Sequence, residues 1–195
     1  MKAHLSFLIA LMAFVCFSCQ SDSVKPVPVQ IKSVKFSQEG HNRPDLQCGS
    51  SMNQDLLNPS GAARGSIEVL NDDRDIYILA IMTQGWLIRS AKIFVGNSAD
   101  LPRANGGGVE VEEFPYLILH SNPGSKFTYS IPTHGQPNCP EVAIQMQVDQ
   151  VSFFGNVVAS EILWADGAGS SSGKTFSFCI GGCGLGGTTL QNATE

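Results

Sequence analysis

The sequence predicts an all-β domain, an antiparallel β-sandwich of seven or eight strands with little or no helix in the mature chain. Three observations lead there. Apolar and polar residues alternate at period two in segment after segment. Clusters of Gly, Pro, Asn and Asp separate those segments, and the chain holds 20 Gly and 10 Pro in 195 residues. No segment combines a 3.6-residue apolar period with capping residues. Strands punctuated by turn signals fit a sandwich.

Taken in order, Val29, Ile31, Val34 and Phe36 mark an early strand. Gln38 to Ser60 is polar and reads as loop. Ser66-Ile67-Glu68-Val69 alternates, and Asn71-Asp72-Asp73 is a turn cluster. Asp75 to Thr83 is apolar on both faces, as a central strand is. Trp86 to Val95 follows a Gln84-Gly85 turn. Gly96 to Glu113 is a long loop containing Pro102 and Gly106-Gly107-Gly108. Phe127, Tyr129 and Ile131 share a face, and Pro132 stops that strand. Val142, Ile144, Met146 and Val148 oppose Ala143, Gln145, Gln147 and Asp149 in the clearest alternation of the chain. Val157 to Trp164 and Thr175 to Cys179 complete the set. The domain runs over 29–184, between a tether at 19–28 stiffened by Pro26 and Pro28 and a flexible tail at 185–195.

The N-terminus gives the location. Lys2 precedes an apolar run from Leu5 to Phe17, too short for a membrane span of about 20 residues but suited to a secretory leader. Signal peptidases favour a small residue before the cut, and Ser18 precedes Cys19. The stretch resembles the lipobox of bacterial lipoproteins. That resemblance implies a signal peptide over 1–18, lipidation of Cys19 and anchoring to the cell envelope. The outer membrane of a Gram-negative bacterium is the expected site. Plain secretion, with Cys19 an ordinary thiol, is the alternative. If Cys16 leaves with the leader and Cys19 carries lipid, Cys48, Cys139, Cys179 and Cys183 remain. Four cysteines in an oxidising compartment suit two disulfides. Of three possible pairings, Cys139–Cys179 across neighbouring strands with Cys48–Cys183 is favoured. The same four lack paired C-x2-C knuckles for a zinc site.

Charge removes one class of partner. The formal net charge is −5, and no Lys/Arg cluster exists to neutralise phosphates, so nucleic acid is excluded. Asn71 to Asp75 offers oxygen ligands but reads as a hairpin turn. His41, His120 and His134 belong to no spaced metal motif, so Glu112 and Glu113 gain no metal-binding or acid/base partner, and solvent-exposed loop positions are expected for the histidines. No G-x-S-x-G elbow or P-loop occurs, and no metal or cofactor is expected. Glu161 and Asp166 flank Trp164, the carboxylate pair a glycosidase would need. Their spacing along a strand instead favours a structural role for Glu161, with Trp164 at the core or rim. An exposed Trp86 or Trp164 could stack on a sugar ring.

Several short stretches occur in a set order: Gly85-Trp86-Leu87-Ile88, Ile93-Phe94-Val95-Gly96, Leu101-Pro102, Asn105-Gly106, Phe114-Pro115-Tyr116, His120, Phe127 to Pro132, Cys139, Glu161, Trp164-Ala165 and Gly167. This order resembles a group of secreted bacterial β-proteins to which no activity is attached. The resemblance covers residues 56–180 and implies a secreted β domain, not a mechanism.

The function expected is a membrane-anchored, non-catalytic binding or structural module with a glycan or protein ligand. Its recognition surface is the long loop from Gly96 to Tyr116. Trp86, Asn105, Tyr116, His120 and Trp164 are the candidate ligand contacts. A carbohydrate-active hydrolase using paired carboxylates and a surface-assembly subunit are the alternatives.

Overall fold

Alternation along this chain is converted into a single antiparallel sheet. A computed structural model describes residues 34–38, 48–166 and 175–183. Among the described residues there are ten strands and no α-helix. They are β1 (Lys35–Ser37), β2 (Cys48–Leu57), β3 (Ala63–Asn71), β4 (Asp75–Met82), β5 (Trp86–Gly96), β6 (Tyr116–Gly124), β7 (Lys126–Pro132), β8 (Glu141–Val151), β9 (Val157–Ala165) and β10 (Thr175–Ser177). Their order across the sheet is β1-β7-β4-β3-β2-β9-β8-β5-β6. β10 takes up the line of β9 along β8, pairing Thr175 with Ala143 where β9 has left off at Trp164–Gln145. The expected all-β antiparallel class is found. The expected count of seven or eight strands is not, and one hydrogen-bonded, curled half-barrel replaces two separate sheets.

The curl has a visible cause. Among the described residues, two halves of the sheet, β1-β7-β4-β3-β2 and β9-β8-β5-β6, are joined by a short pairing, Leu56↔Ala165 and Leu57↔Trp164, with Asp166 N–H reaching Asp55 O at 2.9 Å. The same apolar cluster draws on both: Ile67, Val69, Ile76, Ile78, Tyr129 and Ile131 from one, Ile88, Ile93, Ile144, Met146, Val148 and Leu163 from the other. Each such side chain contributes about 1.5–3 kcal/mol on burial, which closes the halves over each other. Polar side chains reinforce the corner. Arg64 Nε and Nη2 donate to the Glu161 carboxylate at 2.9 and 3.1 Å, and Asn58 Nδ2 donates to it at 3.1 Å. The Arg64 guanidinium also lies 5.0 Å from the Trp86 ring centroid.

Two strands are absent from the sequence reading. β2 (CGSSMNQDLL) lies inside the stretch expected as loop, because only Cys48 and Leu56 of its described side chains are fully buried. β6 (YLILHSNPG) carries Pro123 and ends in turn-forming residues, yet Pro is tolerated on an edge strand and β6 is one. The leader at 1–18, Cys19, the tether at 19–28, Val29, Ile31, His41 and the tail at 185–195 lie outside the described residues.

The cysteines pair as expected, Cys48–Cys183 and Cys139–Cys179, with Cα separations of 4.7 and 3.9 Å. These disulfides indicate an oxidising, extracytoplasmic environment. Next to Cys183, buried Asn71 donates Nδ2 to Gly181 O and accepts from Gly181 N–H, both at 3.0 Å. Gly49 has φ +70°, and a Cβ there would come within 2.8 Å of the Gly181 Cα, so the two backbones cross in contact. The Cys48–Cys183 bridge spans 135 residues and Cys139–Cys179 spans 40. Replacing both members of the longer bridge by Ser is expected to cost about 3–5 kcal/mol, and the shorter about 1 kcal/mol less. Denaturant midpoints of the two double variants check this; a larger loss at the shorter bridge would contradict it.

Candidate functional site: a cleft beside the long loop

The site begins with one side chain on the wrong face. Along β5, Ile93 and Val95 join the main core, so Phe94 points to the outer surface beside Ala143 of β8. An exposed Phe there needs cover, and the loop after Gly96 supplies it. Leu101 and Phe114 bury against Phe94, with the Phe94 and Phe114 centroids 6.0 Å apart, and Val109 and Val111 pack alongside. Two 3₁₀ turns, Ser98–Asp100 and Val111–Glu113, shape the loop. Asn97 Oδ1 accepts from Ala99 N–H at 3.2 Å to cap the first turn. An Arg103↔Val109 bridge closes a small excursion whose tip, at Gly107, has φ +82°. Lys92 Nζ meets Glu112 Oε1 at 2.6 Å and ties the second turn to β5.

Facing this loop is the turn after β7. Thr133 donates its N–H and its hydroxyl to Arg74 O, both at 2.8 Å, and Gln136 N–H closes on Thr133 O at 3.0 Å. Between loop and turn opens a cleft of about 970 Å³. Such a volume lies within the range of small-ligand sites. Its lining includes Phe94, Asn97, Asp100, Pro102, Glu113, Pro115, Tyr116, Pro132, His134, Gln136 and Pro137. Tyr116 is buried and its hydroxyl accepts from the Gln136 amide; burial raises its pKa, so the phenol stays neutral. Proline rings and the Tyr116 ring give apolar walls, while Asn97, Asp100, Glu113 and Gln136 offer polar groups. Among the described residues the lining contains acids and no Lys or Arg, which disfavours an anionic occupant.

Of the five candidate contacts, only Tyr116 lines this cleft. Asn105 is exposed near the tip of the loop that forms one wall. Trp86 is buried beneath Arg64 and offers no open face for a sugar. Trp164 is half-buried on β9, paired with Gln145 and Leu57. His120 was expected on a solvent-exposed loop and is instead buried on β6. The sheet's two edge strands meet there: the Phe36 ring of β1 lies edge-on to His120 at 5.0 Å, and Phe127 stacks on it at 3.7 Å. His120 Nε2 shares a hydrogen bond of 3.0 Å with the Tyr129 hydroxyl, and Nδ1 has no partner among the described residues. His134, in contrast, is exposed and lines the cleft. The wall from Pro132 to Pro137 was not legible as a site; its Pro and Gly residues signalled only the end of a strand.

The other candidates resolve into structure. Asp72 accepts from Arg74 N–H, Asp75 N–H and the Tyr77 hydroxyl, each at 2.8 Å, so the Asn71–Asp75 cluster makes a turn. No group of three or more metal-ligating side chains occurs among the described residues. The bidentate Arg64 holds Glu161 below the usual carboxylate range, whereas a glycosidase acid needs its pKa raised.

Fold and cleft together define a disulfide-bonded, extracytoplasmic all-β domain with an acidic, proline-lined cleft beside its longest loop. No family model, curated protein or solved structure matches the chain.

Burial lowers the His120 pKa from 6.5 to about 4. The unfolded chain therefore takes up this proton first as pH falls. The stability held by neutral His120 is complete above about pH 6.5 and is lost between there and about pH 4, an effect of about 2–3 kcal/mol. Replacing His120 by Gln is expected to flatten that part of the stability curve. Urea midpoints measured across the window check this; an unchanged slope would contradict it.

Proposed function

We propose that this chain is a lipid-anchored envelope protein whose β domain is a non-catalytic binding module. Its ligand is held in the cleft between the Gly96–Tyr116 loop and the Pro132–Pro137 turn. The observation that supports this reading is the cleft itself: apolar ring walls, a floor at Tyr116, and polar side chains converging from two separate elements. That lining suits a neutral oligosaccharide, whose ring faces pack on apolar walls and whose hydroxyls bond to Asn, Gln and carboxylate groups. The committed ion pair of Glu161 argues against its use as a hydrolase acid.

The anchor is acylated Cys19, and the membrane is the outer membrane of a Gram-negative bacterium. Two or more acyl chains give stable anchoring where one does not. A second reading, a subunit of a surface assembly, is favoured by the sheet edge at β6, where Leu119 is 72% exposed.

Mass spectrometry of the mature N-terminus is expected to find Cys19 first and acylated; an unmodified thiol, or a chain starting elsewhere, would overturn the anchor. A glycan screen with the mature chain is expected to return neutral oligosaccharides. Glu113→Lys and Gln136→Ala should each weaken binding by roughly tenfold, the effect of about 1.4 kcal/mol. Binding that neither variant alters would remove the cleft from the reading, and the absence of any glycan bound would remove the ligand class.

A further inference from the structure

The β8–β9 hairpin carries a feature that neither the core nor the cleft uses. Ser152 N–H bonds to Asn156 O at 2.9 Å, Gly155 N–H bonds to Ser152 O at 2.9 Å, and Gly155 has φ +79°. This turn places Phe153 and Phe154 at its two central positions, where they are 99% and 86% exposed. Their centroids are 5.6 Å apart and their planes cross at 84°, so each ring props the other. The equivalent positions in other tight turns among the described residues hold Pro59-Ser60, Asp73-Arg74, Gln84-Gly85, Asn105-Gly106 and His134-Gly135. Each of those pairs contains at least one of the Gly, Pro, Asn, Asp or Ser residues that turns favour. Two phenylalanines break that rule with no fold contact in return, and broken local rules mark functional positions.

We propose that the Phe153-Phe154 tip is a wedge that inserts into the interface of a phospholipid bilayer and seats the domain on it. Three observations favour a bilayer over a protein surface. First, the stretch 150–160 contains no charged residue. The carboxylates that flank it are already neutralised, Asp149 by Arg89 at 2.6 Å and Glu161 by Arg64 at 2.9 Å. Insertion therefore takes no unpaired charge out of water. Second, the turn pairs the N–H groups of Ser152, Gly155 and Asn156 within itself, the last with Ser152 Oγ at 3.2 Å, which lowers the cost of moving its backbone out of water. Third, the tip is flanked on β9 by exposed Val157 and Val158, and the exposed polar residues beside it, Asn156 and Ser160, are uncharged. Protein interfaces carry charged and polar rims, whereas aromatic rings flanked by uncharged residues are enriched at membrane–water interfaces.

Chain length permits the contact on the anchoring membrane. From Cys19 to Val34 is 15 residues, which reach about 50 Å when extended. The 11 residues of β8 span about 37 Å. A domain held at Cys19 can thus turn its tip to the same bilayer; this reach rests on the proposed anchor, whereas the affinity of the tip does not.

The test uses the full mature chain with Cys19→Ser, so that no acyl chain contributes. The probes are vesicles of phosphatidylcholine alone and vesicles of phosphatidylethanolamine with phosphatidylglycerol. Co-sedimentation with both is expected, and Phe153→Ser with Phe154→Ser should weaken it by at least about tenfold. A Phe154→Trp chain should gain a blue-shifted emission on vesicle addition, quenched by brominated acyl chains, over the signal of its parent. Failure to sediment, sedimentation indifferent to the double substitution, or an unshifted Trp would each overturn the proposal. So would self-association that the double substitution abolishes in a chain that ignores vesicles, because the tip would then be a protein interface. Each outcome is independent of whether native Cys19 is acylated.

Discussion

The structure depends on closing one sheet over itself through a very small hinge of backbone hydrogen bonds. β2 and β9 pair over two residues, and among the described residues that short pairing, extended by Asp166 N–H to Asp55 O at 2.9 Å, joins the two halves within the sheet. Backbone pairing of that extent cannot hold two halves in place. Side chains do so: one apolar cluster takes residues from both sides, and Arg64 reaches from β3 to Glu161 on β9. An open sheet of this kind would expose an entire apolar face to water, so curling is the state that burial favours.

Curling leaves a seam and a rim, and both shape the rest of the molecule. At the seam, where β1 and β6 approach, rings fill the gap: Phe36, His120, Phe127 and Tyr129 form a contiguous stack. His120 is neutral because water is excluded there, and its place is structural. On the outer surface, Phe94 and Ala143 face away from the main core, and the long loop exists as a lid for them. The cleft follows from that cover. A loop drawn in over Phe94 leaves space between itself and the turn that Thr133 holds against Arg74. Recognition surface and loop packing are therefore one arrangement.

Much of this was legible in the sequence. Strands with one apolar face or two, such as β4 and β8, announce themselves by period. The cysteine count and compartment called for two disulfides but left three pairings open; the favoured one, with Cys139–Cys179 across neighbouring strands, is the one found. The strands that escaped did so for physical reasons. β2 has a polar sequence because its backbone bonds, more than its side chains, give it a place between β3 and β9. β6 carries Pro123, which only an edge position accommodates. The candidate contacts fared less well, because exposure depends on which face of a strand meets the curl. Trp86 and His120 are inside, while Phe153 and Phe154, which the alternation does not mark, are the most exposed large apolar residues of the described chain. Tyr116 reached the cleft because it begins the strand at which the loop ends.

That two nearly separate half-sheets are one folding unit can be tested by native-state amide hydrogen exchange. Interior amides of β3 and β4 in one half, and of β5 and β8 in the other, report on each half independently. A single core predicts one shared opening free energy for both sets, equal to that of global unfolding and falling in parallel with denaturant. Two distinct free energies, with one half exchanging while the other stays protected, would contradict it.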